Sequence, residues 1–238
     1  MPGNFKTQAV VLRSIRYGEA YRVVHLYSAT RGRLGAIAKG SRRPKSRFGG
    51  RLEPFFRLDL VLYEGRGDLA TVTAASTVDG HSRLRADGPA LMAAARACDA
   101  VLRLLDTNQP NPAAYNLLCN YLSLLDAQPQ ARGAGTALAF RLKLALAAGF
   151  SPELASCASC GEAEHLTAFS GAAGGVVCAS CEGGGFPLSE ESHRFMAEAL
   201  ARPLAEAPFA ERPVAAQADR AITETLEHHA HVHLRAAA

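Results

Sequence analysis

An α+β chain is predicted, with a small five-stranded barrel at the front, a helical domain behind it and a four-cysteine zinc finger inserted among the helices. Three observations predict it. The first 80 residues read as short strands joined by tight turns, with clean period-two alternation in Phe55–Glu64, and a helical period sets in from Asp87 onward. Cys157–Cys160 and Cys178–Cys181 form two C-x-x-C pairs with 17 residues between them, within the spacing of four-cysteine zinc modules. Cations crowd the front: residues 1–60 hold 13 Lys/Arg against 3 Asp/Glu, whereas the remaining 178 residues hold 13 against 19. Such an asymmetry marks a polyanion-binding segment, the alternative being a solvated face that only aids solubility.

The strands follow in order. Lys6 to Tyr17 carries Val10, Val11, Leu12 and Ile15, and Gly18-Glu19 turns the chain into Tyr21–Ala29. Thr30-Arg31-Gly32 turns it again into Arg33–Lys39. Phe55–Glu64 alternates Leu58, Leu60 and Leu62 with Arg57 and Asp59, and Gly65–Asp68 leads into Leu69–Val78. Five short strands with tight turns suit an OB-fold; strand number alone leaves an SH3-like barrel open. Between strands three and four, Gly40 to Arg51 has no hydrophobic period and five cations in twelve residues, so it reads as a mobile basic loop.

Pro89 opens a helix with Leu91, Ala95, Cys98, Leu102 and Leu105 in register. Asn111-Pro112 supplies cap and first turn for a second, striped by Ala114, Leu118, Tyr121 and Leu125. A third spans about Thr136 to Ala148 and stops at Gly149; it is apolar nearly all round, hence central, with Arg141 and Lys143 read as snorkelling surface cations. Ser151-Pro152-Glu153 reads as a short helical turn before the cysteines. Ser189 caps a helix to about Ala201, and Pro213 begins the last, with Val214, Ala218, Ala221 and Ile222 inward. The expected domains are a barrel over 1–80, helices over 81–156, the zinc module over 157–185 and helices over 186–238.

Four thiolates give zinc a closed tetrahedral shell, so the site is expected to be structural, held by Cys157, Cys160, Cys178 and Cys181, with an iron–sulfur cluster, a redox C-x-x-C pair or chance spacing as the rival readings. The Gly-rich loop between the pairs has little core of its own, and zinc is expected to supply much of its folding energy. Cys98 and Cys119 read as buried small hydrophobes. The basic segment is expected to bind phosphates through Arg31, Arg33, Lys39, Arg42, Arg43, Lys45, Arg47 and Arg51, with Tyr17, Tyr21, Tyr27 and Phe48 as stacking candidates or core residues. His229 and His233 are expected to share a helix face in a C-terminal histidine cluster, read as a solvated helix end rather than a metal site. Phosphate-loop, dinucleotide and serine-nucleophile motifs fail, and no acid/base pair stands out, which argues against an enzyme. No apolar run reaches membrane-spanning length and no leader opens the chain, so a soluble, cytoplasmic protein is expected.

The chain resembles the RecO family. Val10 to Ala20 looks like that family's opening strand and turn, Val23 to Gly32 like its second strand, and Lys39-Gly40-Ser41-Arg42-Arg43 like its basic loop. Leu52 to Phe55 is similar to the approach to strand four, and Gly149 to Leu154 to the joint into the zinc module. The resemblance implies an OB-fold, a helical domain and an inserted zinc finger. It also implies binding of single- and double-stranded DNA, annealing of complementary strands, partnership with RecR, docking of the single-strand-binding protein's tail, and help in loading RecA. Some members lack the cysteines, in keeping with a structural metal. The competing expectation is a helical interaction hub whose basic patch binds acidic protein tails.

Overall fold

The computed structural model describes residues 3–235. It forms two compact units, residues 1–127 and 128–238.

In the first unit five strands close a barrel: β1 (Gly3–Tyr17), β2 (Tyr21–Ser28), β3 (Gly32–Ala38), β4 (Arg57–Glu64) and β5 (Ala70–Asp79). Their order is β1-β2-β3-β5-β4, with β1 also paired to β4. The long β1 makes this possible. Its first half pairs antiparallel with β4 and its second half with β2, with an irregularity between Val11 and Arg13 where it changes partner. The one parallel contact, β3 with β5 through Ala36↔Ala70 and Ile37↔Thr71, seals the ring. This is OB-fold topology, and it excludes the SH3-like alternative.

Inward positions at every second residue fill the barrel: Ala9 and Val11, Val24 and Leu26, Leu34, Ala36 and Ala38, then Leu58, Leu60 and Leu62. Two further core residues, Phe48 of the basic loop and Leu52 just after it, pin both the loop and its exit, so that loop is anchored rather than mobile. A chain of tight turns orders it, through Arg43 N–H to the Gly40 carbonyl, Ser46 to Arg43, Gly49 to Ser46 and Arg51 to Phe48. An isolated Phe and Leu four residues apart, in a segment of Gly, Ser and Pro, leave no period to detect.

Three helices complete this unit: α1 (Ser82–Ala86), α2 (Gly88–Leu104) and α3 (Pro112–Ala127). Asn111 accepts the Ala114 N–H at 3.0 Å, the cap expected from sequence, and Asp87 accepts the Ala90 N–H at 2.9 Å, a cap the sequence reading did not name. The short α1 is absent from the sequence reading; one turn of helix has no usable stripe. It is held by Asp126 of α3, whose carboxylate accepts the Leu84 N–H.

The second unit packs α4 (Ala134–Ala147), α5 (Glu190–Ala201) and α6 (Arg212–Ala230) against one another. Arg141 is not a snorkelling cation: it is 5% exposed, and its guanidinium donates to Asp219 and to Thr223 Oγ1 of α6. Lys143 donates to the Leu200 carbonyl at 2.7 Å. Ser151 to Glu153 is extended, with Glu153 bridged in parallel to Gly175, instead of forming a turn of helix. A Cβ at Gly175 would lie 2.3 Å from the Glu153 carbonyl oxygen, so only glycine permits that approach.

Candidate nucleic-acid interface and metal centre

The basic loop does not stand alone. The Arg42 N–H donates to the Ala20 carbonyl at 3.1 Å, and its guanidinium to the Gly18 carbonyl at 2.8 Å. Arg22 of β2 pairs with Glu53 at 2.7 Å, which occupies the one acid in the basic run from Arg31 to Arg57. The loop and the β1–β2 turn therefore form one end of the barrel. Lys39, Arg42, Arg43, Lys45, Arg47 and Arg51 are all exposed there, beside exposed Arg16, Tyr17 and Tyr21. Arg51 donates to the carbonyls of Arg47 and Phe48, and the Arg47 guanidinium lies 5.0 Å from the Phe48 ring centre. Those contacts restrain two of the cations and leave their charge facing outward.

Arg31 and Arg33 lie elsewhere. They flank the start of β3, whose seven residues place Lys39 roughly 20 Å further on. Arg31 pairs with Glu64 at 3.6 Å and covers the Phe5 ring. Arg33 is turned onto the end of α2, donating to the Leu102 carbonyl and to Thr107 Oγ1. Of the four aromatic candidates, Tyr17 and Tyr21 are exposed by 59% and 38%, whereas Tyr27 and Phe48 are buried.

The four cysteines converge. Their sulfurs all lie within 4.8 Å of one another, and Cys160 and Cys178 are 3.7 Å apart. A tetrahedron of about 2.3 Å metal–sulfur bonds requires sulfurs about 3.8 Å apart, so a zinc ion fits this donor set. The first knuckle is closed by Cys157 N–H to the Glu162 carbonyl and Gly161 N–H to the Cys157 carbonyl, the second by Cys181 N–H to the Cys178 carbonyl. Backbone N–H groups, that of Cys178 foremost and then those of Cys160 and Ser159, bring the Cys157 thiol down to about 6. Cys181 is instead pushed up to about 12 by the neighbouring sulfurs of Cys160 and Cys178. Four thiolates this close repel each other unless a cation stands among them.

The segment between the pairs is better ordered than its glycines suggest. β6 (Leu166–Ser170), β7 (Gly175–Cys178) and β8 (Phe186–Pro187) form a small sheet, and Ala168, Val177, Cys157 and Cys178 make a local core. Strands of two to five residues are too short for alternation to register. The histidines form no second metal site among the described residues. α6 ends at Ala230, so His233 lies beyond the helix face assigned to it, bonded to Glu227, while His229 contacts the Gly171 carbonyl at 2.9 Å.

Comparison with known proteins decides the family. Residues 1–81 match the model of the recombination protein O N terminal, and residues 85–237 that of its C terminal. The chain belongs to the RecO family of DNA repair proteins. It is 38% identical over 209 residues to DNA repair protein RecO of Rubrobacter xylanophilus, covering 85% of this chain and 83% of that protein. It is equally identical over 234 residues to DNA repair protein RecO of Anaeromyxobacter dehalogenans, covering 94% and 91%. The counterpart from Myxococcus xanthus is 36% identical over 178 residues, covering 74% and 72%.

In this RecO-family chain the fold thus brings six of the eight sequence-selected cations to one surface and sets two apart. Arg16 joins that surface, and it was missed because β1 is read from sequence for its apolar positions. Across the β1–β2 hairpin Arg16 stands directly opposite Arg22, a register that only the folded chain fixes. Among the described residues no helix is long and apolar enough to cross a membrane.

Proposed function

We propose that this chain is a recombination mediator that binds single- and double-stranded DNA at the loop end of its barrel and anneals complementary strands. One observation carries the reading: six exposed cations and two exposed tyrosines share one end of the barrel, and the acid within the run, Glu53, is held by Arg22. Cations on phosphates release counterions, and tyrosine faces accept bases of any identity. A surface that neutralises one strand lowers the repulsion met by a second. Base pairing then drives annealing without nucleotide hydrolysis, so no enzymatic step is required.

Family membership supports the rest of the reading: partnership with RecR, docking of the single-strand-binding protein's tail, assistance in loading RecA, and action in the bacterial cytoplasm. Zinc held by Cys157, Cys160, Cys178 and Cys181 is structural in this reading, because four thiolates leave no open position for water or substrate. The test is a gel-shift and annealing assay on Arg42→Glu, Arg43→Glu protein. DNA binding and annealing are expected to collapse while circular dichroism stays unchanged. Wild-type affinity in that variant rejects the loop as the interface.

A further inference from the structure

The outer wall of the barrel carries a second cationic feature. Arg13 of β1, His25 of β2 and Arg33 of β3 face Asp99 and Arg103 of α2 and Thr107 across an open cavity of about 390 Å³. Arg13 and His25 are cross-strand partners, and Gly35 completes their row without a side chain. Three arginines against one aspartate leave the walls net positive even with His25 neutral.

The arginines are held to different degrees. Arg33 is fixed by its bonds to the Leu102 carbonyl and Thr107 Oγ1, and Arg103 by its 2.8 Å bond from Nε to Asp99. A guanidinium has five N–H donors, so each keeps several for a ligand. Arg13 is exposed and has no hydrogen-bond or ion-pair partner among the described residues. Two oriented forks and one uncommitted fork around a concave space suit a small oxyanion with several acceptor oxygens.

We propose that this cavity holds one phosphate group, with Arg33 and Arg103 as its preformed wall and Arg13 closing on the bound anion. It adds a second phosphate contact to the barrel, apart from the loop, and so rests on the DNA-binding reading only for the source of the phosphate. His25 reports occupancy. Burial, then Arg13 and Arg33, lower its pKa. Asp99 opposes those arginines, and Arg103 across the cavity adds to them. A phosphate among these groups offsets the arginine repulsion and moves the His25 pKa upward.

The test is an NMR titration of the His25 ring, assigned by loss of its signal in His25→Asn, with inorganic phosphate and separately with an oligothymidylate lacking terminal phosphate. A saturable rise of the His25 pKa is expected in wild type. Arg13→Ala is expected to weaken phosphate binding about tenfold, the loss of one charge-assisted contact, and Arg13→Lys to restore part of it. A response to both ligands supports the site with a nucleic-acid backbone as the source, and a response to phosphate alone supports it with free phosphate as the source. No response to either, or equal affinities in wild type and Arg13→Ala, overturns it. The inorganic-phosphate titration on Arg42→Glu, Arg43→Glu protein separates the two proposals, because His25 should respond to phosphate there whatever that variant's DNA affinity.

Discussion

Arg43→Ala combined with Lys45→Ala removes two exposed cations that have no side-chain partner among the described residues, so folding should be untouched. If the six loop-end cations each neutralise one phosphate, log affinity for single strands falls against log salt with a slope of about −4, at roughly −0.7 per contact. Between about 50 and 200 mM salt that is a loss of roughly 300-fold. The double variant keeps four contacts, for a slope of about −3 and a loss of roughly 50-fold. For duplex DNA, at roughly −0.9 per contact, the corresponding slopes are about −5 and −4. Fluorescence anisotropy at four salt concentrations measures both proteins. An unchanged slope in the double variant refutes direct phosphate contact by these two side chains. A flat wild-type profile refutes the electrostatic basis of the whole interface.

Two further outcomes are expected. Stripping metal, or Cys160→Ala, should abolish one equivalent of zinc by elemental analysis and lower the thermal midpoint of the cysteine module, while DNA affinity at the barrel persists; a metal-free wild type with an unchanged melting curve contradicts this. Arg141→Met should destabilise the second unit by about 2 kcal/mol in urea unfolding. That is below the roughly 3–5 kcal/mol of a fully enclosed pair, because Asp219 retains 26% exposure; a change under about 0.5 kcal/mol refutes the buried pairing.

The charge reversal at Arg42 and Arg43 and the salt slope at Arg43 and Lys45 answer different questions. The first asks whether the loop end is needed. The second counts contacts, and it does so with residues whose removal breaks no internal bond. Arg42 is less clean, since its guanidinium also ties the loop to the Gly18 carbonyl.

The sequence by itself determined the five strands, the caps at Asn111 and Ser189, and the cysteine quartet. Each of these is local: alternation reads out which side of a strand is buried, a cap needs four consecutive residues, and a C-x-x-C pair brings two sulfurs to one centre before anything else folds. Tertiary structure alone decided which cations share a surface. Arg33 and Lys39 sit in the same strand region, yet strand length separates them, while Arg42, far along the chain, is hydrogen-bonded to the β1–β2 turn that follows Arg16. It also decided that Arg141 is interior, since the carboxylate that receives it comes from a helix 78 residues away. Periodicity reports the side of an element on which a residue lies; only the packed chain determines what stands opposite.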